Sequence, residues 1–305
     1  MSALKKYVLV LAGPTASGKT AMAIKLAQRF KTVIISADSR QFYREMSIGT
    51  AVPSAIQLNL AKHYFIHSCS VTEAIDVASY EQEVLKLLDK LFIKHNLVIL
   101  SGGTGLYIDA VCRGLDLIPE VLPAVRDQVN QLFEKSGLPG LQKAVAELDS
   151  DYYRIVDEQN PRRLQRALEV CWQTGRTFSS YRQQKPVQRN FEVIWTAIEL
   201  EKIVLHNRIN QRVETMLADG LVEEARKMLP FRDLNALNTV GYKELFAYFD
   251  GKIGLEEAVE QIKANTRKYA KRQLTWFRKN KDYQWFRPDE FEKLVSYIKS
   301  LNKRL

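Results

Sequence analysis

Cysteine and long apolar runs are both scarce in this 305-residue sequence. The three cysteines, Cys69, Cys112 and Cys171, lie far apart and form no CxxC pair. An odd number of widely spaced cysteines argues against a disulfide framework and against a cysteine-based zinc site. No apolar run approaches the ~18 residues that a membrane-spanning helix needs. We therefore expect a protein of the reducing cytoplasm with no membrane partner.

The composition is that of a folded globular chain with an excess of positive charge. Hydrophobic residues make up 46% and charged residues 26% of the sequence, which excludes disordered and collagen-like classes. The length allows one large domain or two modest ones. Lysine and arginine number 45 against 35 acidic residues, which gives a net charge of +10. This excess favours an anionic partner such as nucleic acid, a nucleotide or an acidic membrane.

Short apolar runs alternate with segments of helical period in the first hundred residues. The runs are Tyr7–Ala12, Val33–Ala37 and Leu97–Leu100. Between the last two, residues 79–96 place apolar side chains on one helical face: Val84, Leu87, Leu88, Leu91 and Phe92. This alternation is typical of an α/β fold with a parallel sheet.

The pattern changes after Gly114, where proline and glycine divide the chain into short helical pieces. The clearest helix there begins at Pro161 and carries apolar residues on one face: Leu164, Ala167, Leu168, Cys171 and Trp172. A further strand is predicted at 191–200 and a long helix at 255–279. We therefore predict a catalytic core from 1–117 and 191–305, with helical C-terminal regions, and an inserted helical domain at 118–190.

The strongest motif is a glycine-rich turn after the first apolar run. It matches G-x-x-x-x-G-K-[ST] at every fixed position, with the residues Gly13, Pro14, Thr15, Ala16, Ser17, Gly18, Lys19 and Thr20. Such a P-loop turns backbone N–H groups toward an anion at the positive end of the next helix. Lys19 adds charge for phosphate oxygens, and the Thr20 hydroxyl is a ligand for Mg²⁺. Because a predicted strand and helix flank the turn, a chance match explains it less well than a diphosphate or polyphosphate site.

Two further strand ends carry polar or small residues. Asp38 follows the second apolar run, where neighbouring parallel strands converge on a ligand cleft, so it is either a catalytic base or the cap of a following helix. The third run ends in Ser101–Gly105 with no acidic residue, which argues against a P-loop motor or switch. Its paired glycines indicate close approach to a ligand, with Thr104 offering a hydroxyl, or a tight turn between strand and helix.

Positive charge is concentrated in the long C-terminal helix and in the inserted segment. From 261 to 281 there are eight basic residues and no acidic one, and four of them form one stripe: Lys263, Arg267, Lys271 and Arg278. We expect this stripe to face phosphate groups, since so many like charges repel one another without an anion, and a solvated face is the alternative. The opposite side is expected to face a core through Ile262, Tyr269, Trp276 and Phe277. The inserted segment is basic through Arg154, Arg162, Arg163, Arg166, Arg176, Arg182, Lys185 and Arg189.

Together these motifs resemble the tRNA dimethylallyltransferase family in order over nearly the whole chain. The resemblance rests on 13–20, 38–41, 48–50, 102–107, 161–170, 240–244 and 266–278. It implies a P-loop kinase-like core with an inserted helical domain that binds the anticodon stem-loop of tRNA. We further expect the protein to act as a monomer. The implied reaction transfers a dimethylallyl group from dimethylallyl diphosphate to N6 of adenosine 37 in tRNAs that read codons beginning with U.

The resemblance also assigns roles to individual residues. It implies that Asp38, Thr104 and Lys19 are catalytic, with Asp38 accepting the N6 proton, and that Mg²⁺ on Thr20 assists the departing diphosphate. The residues it implies in tRNA binding are Asp38, Ser39, Arg40, Gln41, Thr104, Arg126, Gln159, Asn160, Pro161, Arg162 and Arg163. Three other functions remain open from the residues alone: a P-loop small-molecule kinase, an isopentenyltransferase of free adenine nucleotides, and an RNA-binding protein with a vestigial nucleotide site.

Overall fold

A computed structural model describes residues 5–73, 75–182 and 187–301 of the chain. Within them, six strands form one sheet in which every neighbouring pair is parallel. The strands are β1 (Tyr7–Ala12), β2 (Ile34–Ser36), β3 (His63–Tyr64), β4 (Leu97–Gly102), β5 (Glu192–Ile198) and β6 (Gln284–Phe286). Their order across the sheet is β3-β2-β4-β1-β5-β6. The predicted α/β class is confirmed.

The two faces of the sheet are buried because side chains alternate along each strand. In β1, Val8 and Val10 face one apolar core while Leu9 and Leu11 face the other. Both cores are covered by helices, which is why the central strands consist of continuous apolar runs. The three runs seen in the sequence therefore become β1, β2 and β4.

In the described part of the chain, the first α-helix begins at Lys19 and the last ends at Leu301. They are α1 (Lys19–Arg29), α2 (Ala55–Leu60), α3 (Val77–Leu91), α4 (Gly105–Arg113), α5 (Pro123–Leu148), α6 (Ser150–Tyr153), α7 (Pro161–Thr174), α8 (Phe178–Tyr181), α9 (Lys202–Ala218), α10 (Leu221–Lys227), α11 (Tyr242–Phe249), α12 (Leu255–Lys279) and α13 (Phe291–Leu301). The predicted helix at 255–279 is confirmed as α12. The helix predicted at 79–96 is α3, which begins earlier because the Asp76 carboxylate accepts a hydrogen bond from the backbone N–H of Ser79 at 2.8 Å.

The chain forms two compact units, with boundaries at Arg113/Gly114 and Gln188/Arg189. The first unit contains the sheet, and the second, Gly114–Gln188, is helical in its described residues. The sequence placed these boundaries at 117/118 and 190/191, and the assignment of the second unit to tRNA binding stays a prediction. Lys185 lies outside the described residues.

The inserted unit has its own apolar core between α5 and α7. Leu164, Ala167 and Leu168 of α7 are fully buried there, as predicted, but Trp172 is 39% exposed and does not belong to the core. The predicted division into shorter helical pieces is confirmed within α5, since Pro123–Leu148 consists of two helices joined at a kink at Gly137, where φ is +60°. Within 5–73, 75–182 and 187–301, none of the helices combines the length and hydrophobicity needed to traverse a lipid bilayer.

Candidate active site

The P-loop connects β1 to α1 across the carboxyl edge of the sheet. Gly18 caps α1 with φ of +90°, a left-handed conformation in which glycine avoids the steric cost of a Cβ atom. The residues of this turn line a cavity of about 190 Å³ together with Lys19 and Thr20. Positive N–H groups at a helix start and a small polar cavity are suited to a phosphate group.

Two side chains of the P-loop are incompletely satisfied by protein groups. The Lys19 ammonium donates to the carbonyl oxygen of Pro14 at 3.1 Å, and burial lowers the pKa of Lys19 to about 8. The Ser17 hydroxyl is fully buried and has no hydrogen-bond partner among the described residues. Buried polar groups are normally paired, so both side chains are suited to binding an anionic group in the cavity.

Asp38 lies two residues beyond the end of β2 and lines the same cavity. One of its carboxylate oxygens accepts a hydrogen bond from the backbone N–H of Arg40 at 3.1 Å. A turn follows Asp38, so the alternative role as cap of a following helix is wrong. The carboxylate caps its own turn instead.

A second cavity of about 560 Å³ adjoins the first. The two cavities share part of their walls, formed by Thr15, Asp38, Thr50, Ala51 and Arg212. Asp38 therefore lies between a cavity lined by the P-loop and a larger cavity. A carboxylate in this position can accept a proton from a group held on one side while a bond breaks on the other.

Arg212 is a residue of the shared wall that the sequence analysis missed. It projects from α9, and its guanidinium donates to the Thr15 hydroxyl at 3.2 Å. Burial lowers the pKa of Arg212, while the negative charge of Asp38 raises it. Arg208 lies one helical turn earlier and also approaches the P-loop at Gly18. This i, i+4 spacing indicated a shared helix face, but nothing in the sequence placed α9 beside the P-loop.

Gln273 of α12 joins the P-loop to the end of β4. Its side-chain oxygen accepts from the backbone N–H of Thr15 at 2.9 Å, and its amide nitrogen donates to the carbonyl oxygen of Gly103 at 2.9 Å. A Cβ at Gly103 would lie 2.2 Å from that amide nitrogen. A Cβ at Gly102 would lie 2.2 Å from the Ala37 carbonyl oxygen. The glycine pair therefore accommodates protein atoms in a tight turn between β4 and α4.

The segment after Asp38 contributes to both cavities. Ser39 and Arg40 line the larger cavity, whereas Gln41 lines the one beside the P-loop. The Thr104 side-chain oxygen accepts from the backbone N–H of Ser39 at 3.2 Å, and Thr104 also lines the larger cavity. The predicted group of Asp38–Gln41 and Thr104 is thus brought together at one edge of the sheet.

The larger cavity is also lined by residues of α12. The sequence placed Tyr269 on a core-facing side, but it lines the cavity, and burial together with the charge of Asp38 raises its pKa to about 12. Trp276 was also expected in a core, and that expectation is wrong because the residue is 39% exposed. Its indole N–H donates to the Asp109 carboxylate at 2.8 Å. Ile262 and Phe277 are buried as predicted.

Three of the four basic side chains in the α12 stripe have protein partners. Lys263 forms ion pairs with Glu214 of α9 and with Glu260, which lies just before the single-signed run. Arg267 donates to the side chain of Asn210 at 2.6 Å, and Arg278 pairs with Glu199 at 3.4 Å. The expectation that like charges need an external anion is therefore wrong for Lys263, because protein carboxylates neutralise it. Lys271 is exposed.

The predicted tRNA contacts in the inserted unit lie on α5 and at the start of α7. Arg126 is exposed on α5, while Gln159, Arg162 and Arg163 are exposed around the start of α7. Asn160 caps that helix by accepting from the backbone N–H of Arg163 at 3.3 Å, and Pro161 occupies its first turn. Arg126, Arg162 and Arg163 are thus open to solvent on this unit.

Comparisons with known proteins agree with this architecture. A family model described as IPP transferase matches residues 41–280. A tRNA dimethylallyltransferase from Christiangramia forsetii is 49% identical over 97% of this chain and 99% of its own. A tRNA dimethylallyltransferase 1 from Phocaeicola vulgatus is 45% identical over 97% of this chain and 98% of its own. The solved tRNA isopentenylpyrophosphate transferase from Bacillus halodurans has a TM-score of 0.72 and 32% identity, covering 97% of this chain and 96% of that one. The chain therefore belongs to the IPP transferase family, among whose members are the tRNA dimethylallyltransferases.

Proposed function

We propose that this protein transfers the dimethylallyl group of dimethylallyl diphosphate to N6 of adenosine 37 in tRNAs that read codons beginning with U. The observation that carries this proposal is the shared wall formed by Asp38 and Arg212 between the two cavities. A diphosphate on the P-loop side and a purine on the other side would meet at this wall. The names of the relatives support both substrates, since they are tRNA-modifying transferases.

The smaller cavity is the proposed site of the donor diphosphate. Its P-loop backbone, the Ser17 hydroxyl and the Lys19 ammonium supply hydrogen bonds and charge for the phosphate oxygens. The Arg212 guanidinium adds a second cation at the wall, where the bridging oxygen would leave. Because charge accumulates on diphosphate as the C–O bond breaks, these groups stabilise the transition state more than the ground state.

The same cavity fits Mg²⁺ by the chemistry of its oxygen atoms. The Thr20 hydroxyl and the Asp38 carboxylate both line it, and hard oxygen ligands are those that Mg²⁺ prefers. Thr20 would hold the ion together with oxygens of the diphosphate. When bound, Mg²⁺ would neutralise part of the charge of the leaving group.

Asp38 is the proposed base of the reaction. The amine lone pair of adenine is delocalised into the ring, so N6 is a weak nucleophile until its bond to the allylic carbon begins to form. As the C–N bond forms and the C–O bond breaks, the N6 proton passes to the Asp38 carboxylate and diphosphate departs. Thr104 fixes the turn that carries Asp38 through its bond to the Ser39 N–H.

We assign tRNA binding to the exposed basic residues of both units. A nucleotide of the anticodon loop must leave its stack to reach an enclosed site, which requires contacts that hold the surrounding stem-loop. Arg126, Arg162 and Arg163 on the inserted unit and Lys271 on α12 are exposed and suited to phosphate contacts. We further propose that the protein acts as a monomer in the cytoplasm, where its tRNA substrate resides.

The deciding experiment uses radiolabelled dimethylallyl diphosphate and unmodified tRNA. Label recovered as a prenylated adenosine at position 37 supports the proposal. ATP-dependent phosphorylation of a small molecule would replace it with a kinase, and label transferred to AMP but not to tRNA would replace it with a free-nucleotide prenyltransferase. Asp38→Asn should lower turnover by roughly two orders of magnitude or more while tRNA affinity stays within about threefold. The exposed Asp289→Asn serves as the matched control.

A further inference from the structure

The carboxylate of Glu224 binds the backbone of a turn that directly precedes the shared-wall residues Thr50 and Ala51. Three successive backbone N–H groups, those of Ser47, Ile48 and Gly49, donate to this carboxylate at 2.9, 2.8 and 2.8 Å. Consecutive N–H groups that converge on one point form a concave site for an anion. Glu224 thus fills an anion site that the segment 47–49 builds from its own backbone.

Tyr242 completes this arrangement from α11. Its hydroxyl donates to Glu224 at 2.6 Å, and its ring packs so closely on Gly49 that a Cβ there would lie 2.6 Å from a ring carbon. Tyr242 belongs to the sequence motif at 240–244. Its contacts with Glu224 and Gly49 therefore give this motif a structural role beyond lining the cavities. The carboxylate receives four hydrogen bonds in total, two on each oxygen.

The segment held by Glu224 continues directly into the wall between the two cavities. The backbone N–H of Ala51 donates to the carbonyl oxygen of Ile48 at 3.0 Å, so the turn is hydrogen-bonded to the wall. Thr50 and Ala51 line both cavities. A displacement of the turn would therefore displace the surface on which both substrates meet.

A second connection leads from this segment to the proposed base. The Gln41 amide nitrogen donates to the carbonyl oxygens of Thr50 and Ala51 at 3.3 and 3.0 Å. The backbone N–H of Gln41 donates to the carbonyl oxygen of Asp38 at 3.1 Å. The contacts thus run without interruption from Glu224 through the turn and Gln41 to the backbone of Asp38.

We propose that Glu224, supported by Tyr242, is a positioning residue that holds the wall at Thr50 and Ala51, and through Gln41 the Asp38 turn, in the geometry needed for prenyl transfer. This inference rests on the proposed function. Glu224 itself does not line either substrate cavity among the described residues. It acts through the backbone that it holds.

The carboxylate is the chemical group suited to this position. All four partners of Glu224 are donors, and a carboxylate accepts from them with both oxygens and a full charge. A glutamine at this position would keep one accepting oxygen and bring an amide N–H₂ against two donors. Charge and geometry thus both favour glutamate over glutamine at this position. We therefore expect Glu224→Gln to disturb the turn, although the two side chains have nearly the same shape.

The experiment compares Glu224→Ala and Glu224→Gln with Glu223→Ala as the matched control. Glu223 is the neighbouring residue, largely exposed, and its ion pair is to Arg226 at 3.9 Å, not to the turn. Steady-state prenyl transfer gives kcat and the KM for the donor, and calorimetry gives the Kd for pyrophosphate. Hydrogen exchange is followed on peptides covering 38–41 and 46–52.

We expect kcat to fall about a hundredfold in Glu224→Ala, since a displacement of about 1 Å in a reacting geometry costs this much. The pyrophosphate Kd should stay within about threefold, because the P-loop contacts are untouched, and exchange should accelerate in both peptides. Glu223→Ala should match the wild type in every measurement.

The inference is overturned if kcat of the Glu224 variants stays within about twofold of wild type, since the geometry would then not depend on the carboxylate. It is also overturned if activity falls while exchange at 38–41 and 46–52 is unchanged. If Glu224→Ala does not fold, Glu224→Gln and Tyr242→Phe provide the same kinetic and exchange comparison. A wild type without prenyl transfer would refute the proposed function instead, and exchange at 38–41 would still decide whether Glu224 holds the Asp38 turn.

Discussion

In the proposed donor site, the buried ammonium of Lys19 should make donor binding depend on pH in a range where most lysines do not titrate. Burial lowers the pKa of Lys19 from 10.5 to about 8 in the free protein. Only the protonated ammonium attracts a diphosphate, so in the proposed site each donor molecule would bind a protonated Lys19. As pH rises through 8 the free protein loses this proton, and donor affinity should fall.

The size of the effect follows from the two protonation fractions. At pH 7 about nine-tenths of Lys19 carries a proton, and at pH 9 about one-tenth does, so the Kd for dimethylallyl diphosphate should rise about tenfold between these values. A lysine with an ordinary pKa of 10.5 would change it by only a few per cent over the same range. The terminal phosphate itself titrates near about pH 6 and stays ionised throughout.

Calorimetric titration of dimethylallyl diphosphate at constant Mg²⁺ from pH 7 to 9.5 measures this dependence. Lys19→Arg is the control, since a guanidinium remains charged across this range and should give a flat profile, whatever its absolute affinity. A flat profile for the wild type would refute the lowered pKa of Lys19. An equal rise of Kd in Lys19→Arg would refute the assignment of the pH dependence to this side chain.

Three further predictions concern stability and tRNA binding. Lys19→Met removes the buried ammonium and should raise the free energy of unfolding in urea at pH 7 by up to about 3 kcal/mol. This gain should disappear between about pH 8 and 10.5, and an unchanged or lowered free energy of unfolding at pH 7 would contradict the prediction. Gln273→Ala leaves a backbone donor and a backbone acceptor unpaired and should lower the free energy of unfolding by about 3 kcal/mol, and a loss below about 1 kcal/mol would refute the role of the bridge. Lys271→Gln should reduce the slope of log K for tRNA against log salt by about one unit, whereas Lys263→Gln, which removes an ammonium already paired with protein carboxylates, should not; equal slopes for the two variants would contradict this distinction.

The sequence predicted those strands and helices whose apolar residues follow a regular pattern along a short stretch of chain. The runs that become β1 and β4 are apolar throughout because both faces of the sheet are covered. The strands β3 and β6 were not predicted because their two or three residues lie outside the longer apolar runs that predicted β1, β2 and β4, and they form at the two edges of the sheet. A strand this short is defined by the neighbour with which it pairs.

The candidate site was predictable where it lies on one strand end and missed where distant elements meet. The P-loop and Asp38 each follow an apolar run, so the topology of a parallel sheet places them together. Arg212 and Gln273 reach the P-loop from α9 and α12, about 200 and 260 residues further along the chain, and only tertiary packing brings them there. The same reason explains Lys263, whose partner Glu214 lies 49 residues earlier on another helix.

The Gln273 bridge between α12 and the P-loop is made only of amide groups. Its side chain bonds the N–H of Thr15 and the carbonyl of Gly103, and none of these three groups gains or loses a proton between pH 4 and 10. The link between α12 and the P-loop therefore keeps the same hydrogen bonds in acidic and alkaline solution. A pH dependence of the proposed donor binding is therefore expected to come from titratable side chains in the cavity, such as Lys19, and not from this bridge.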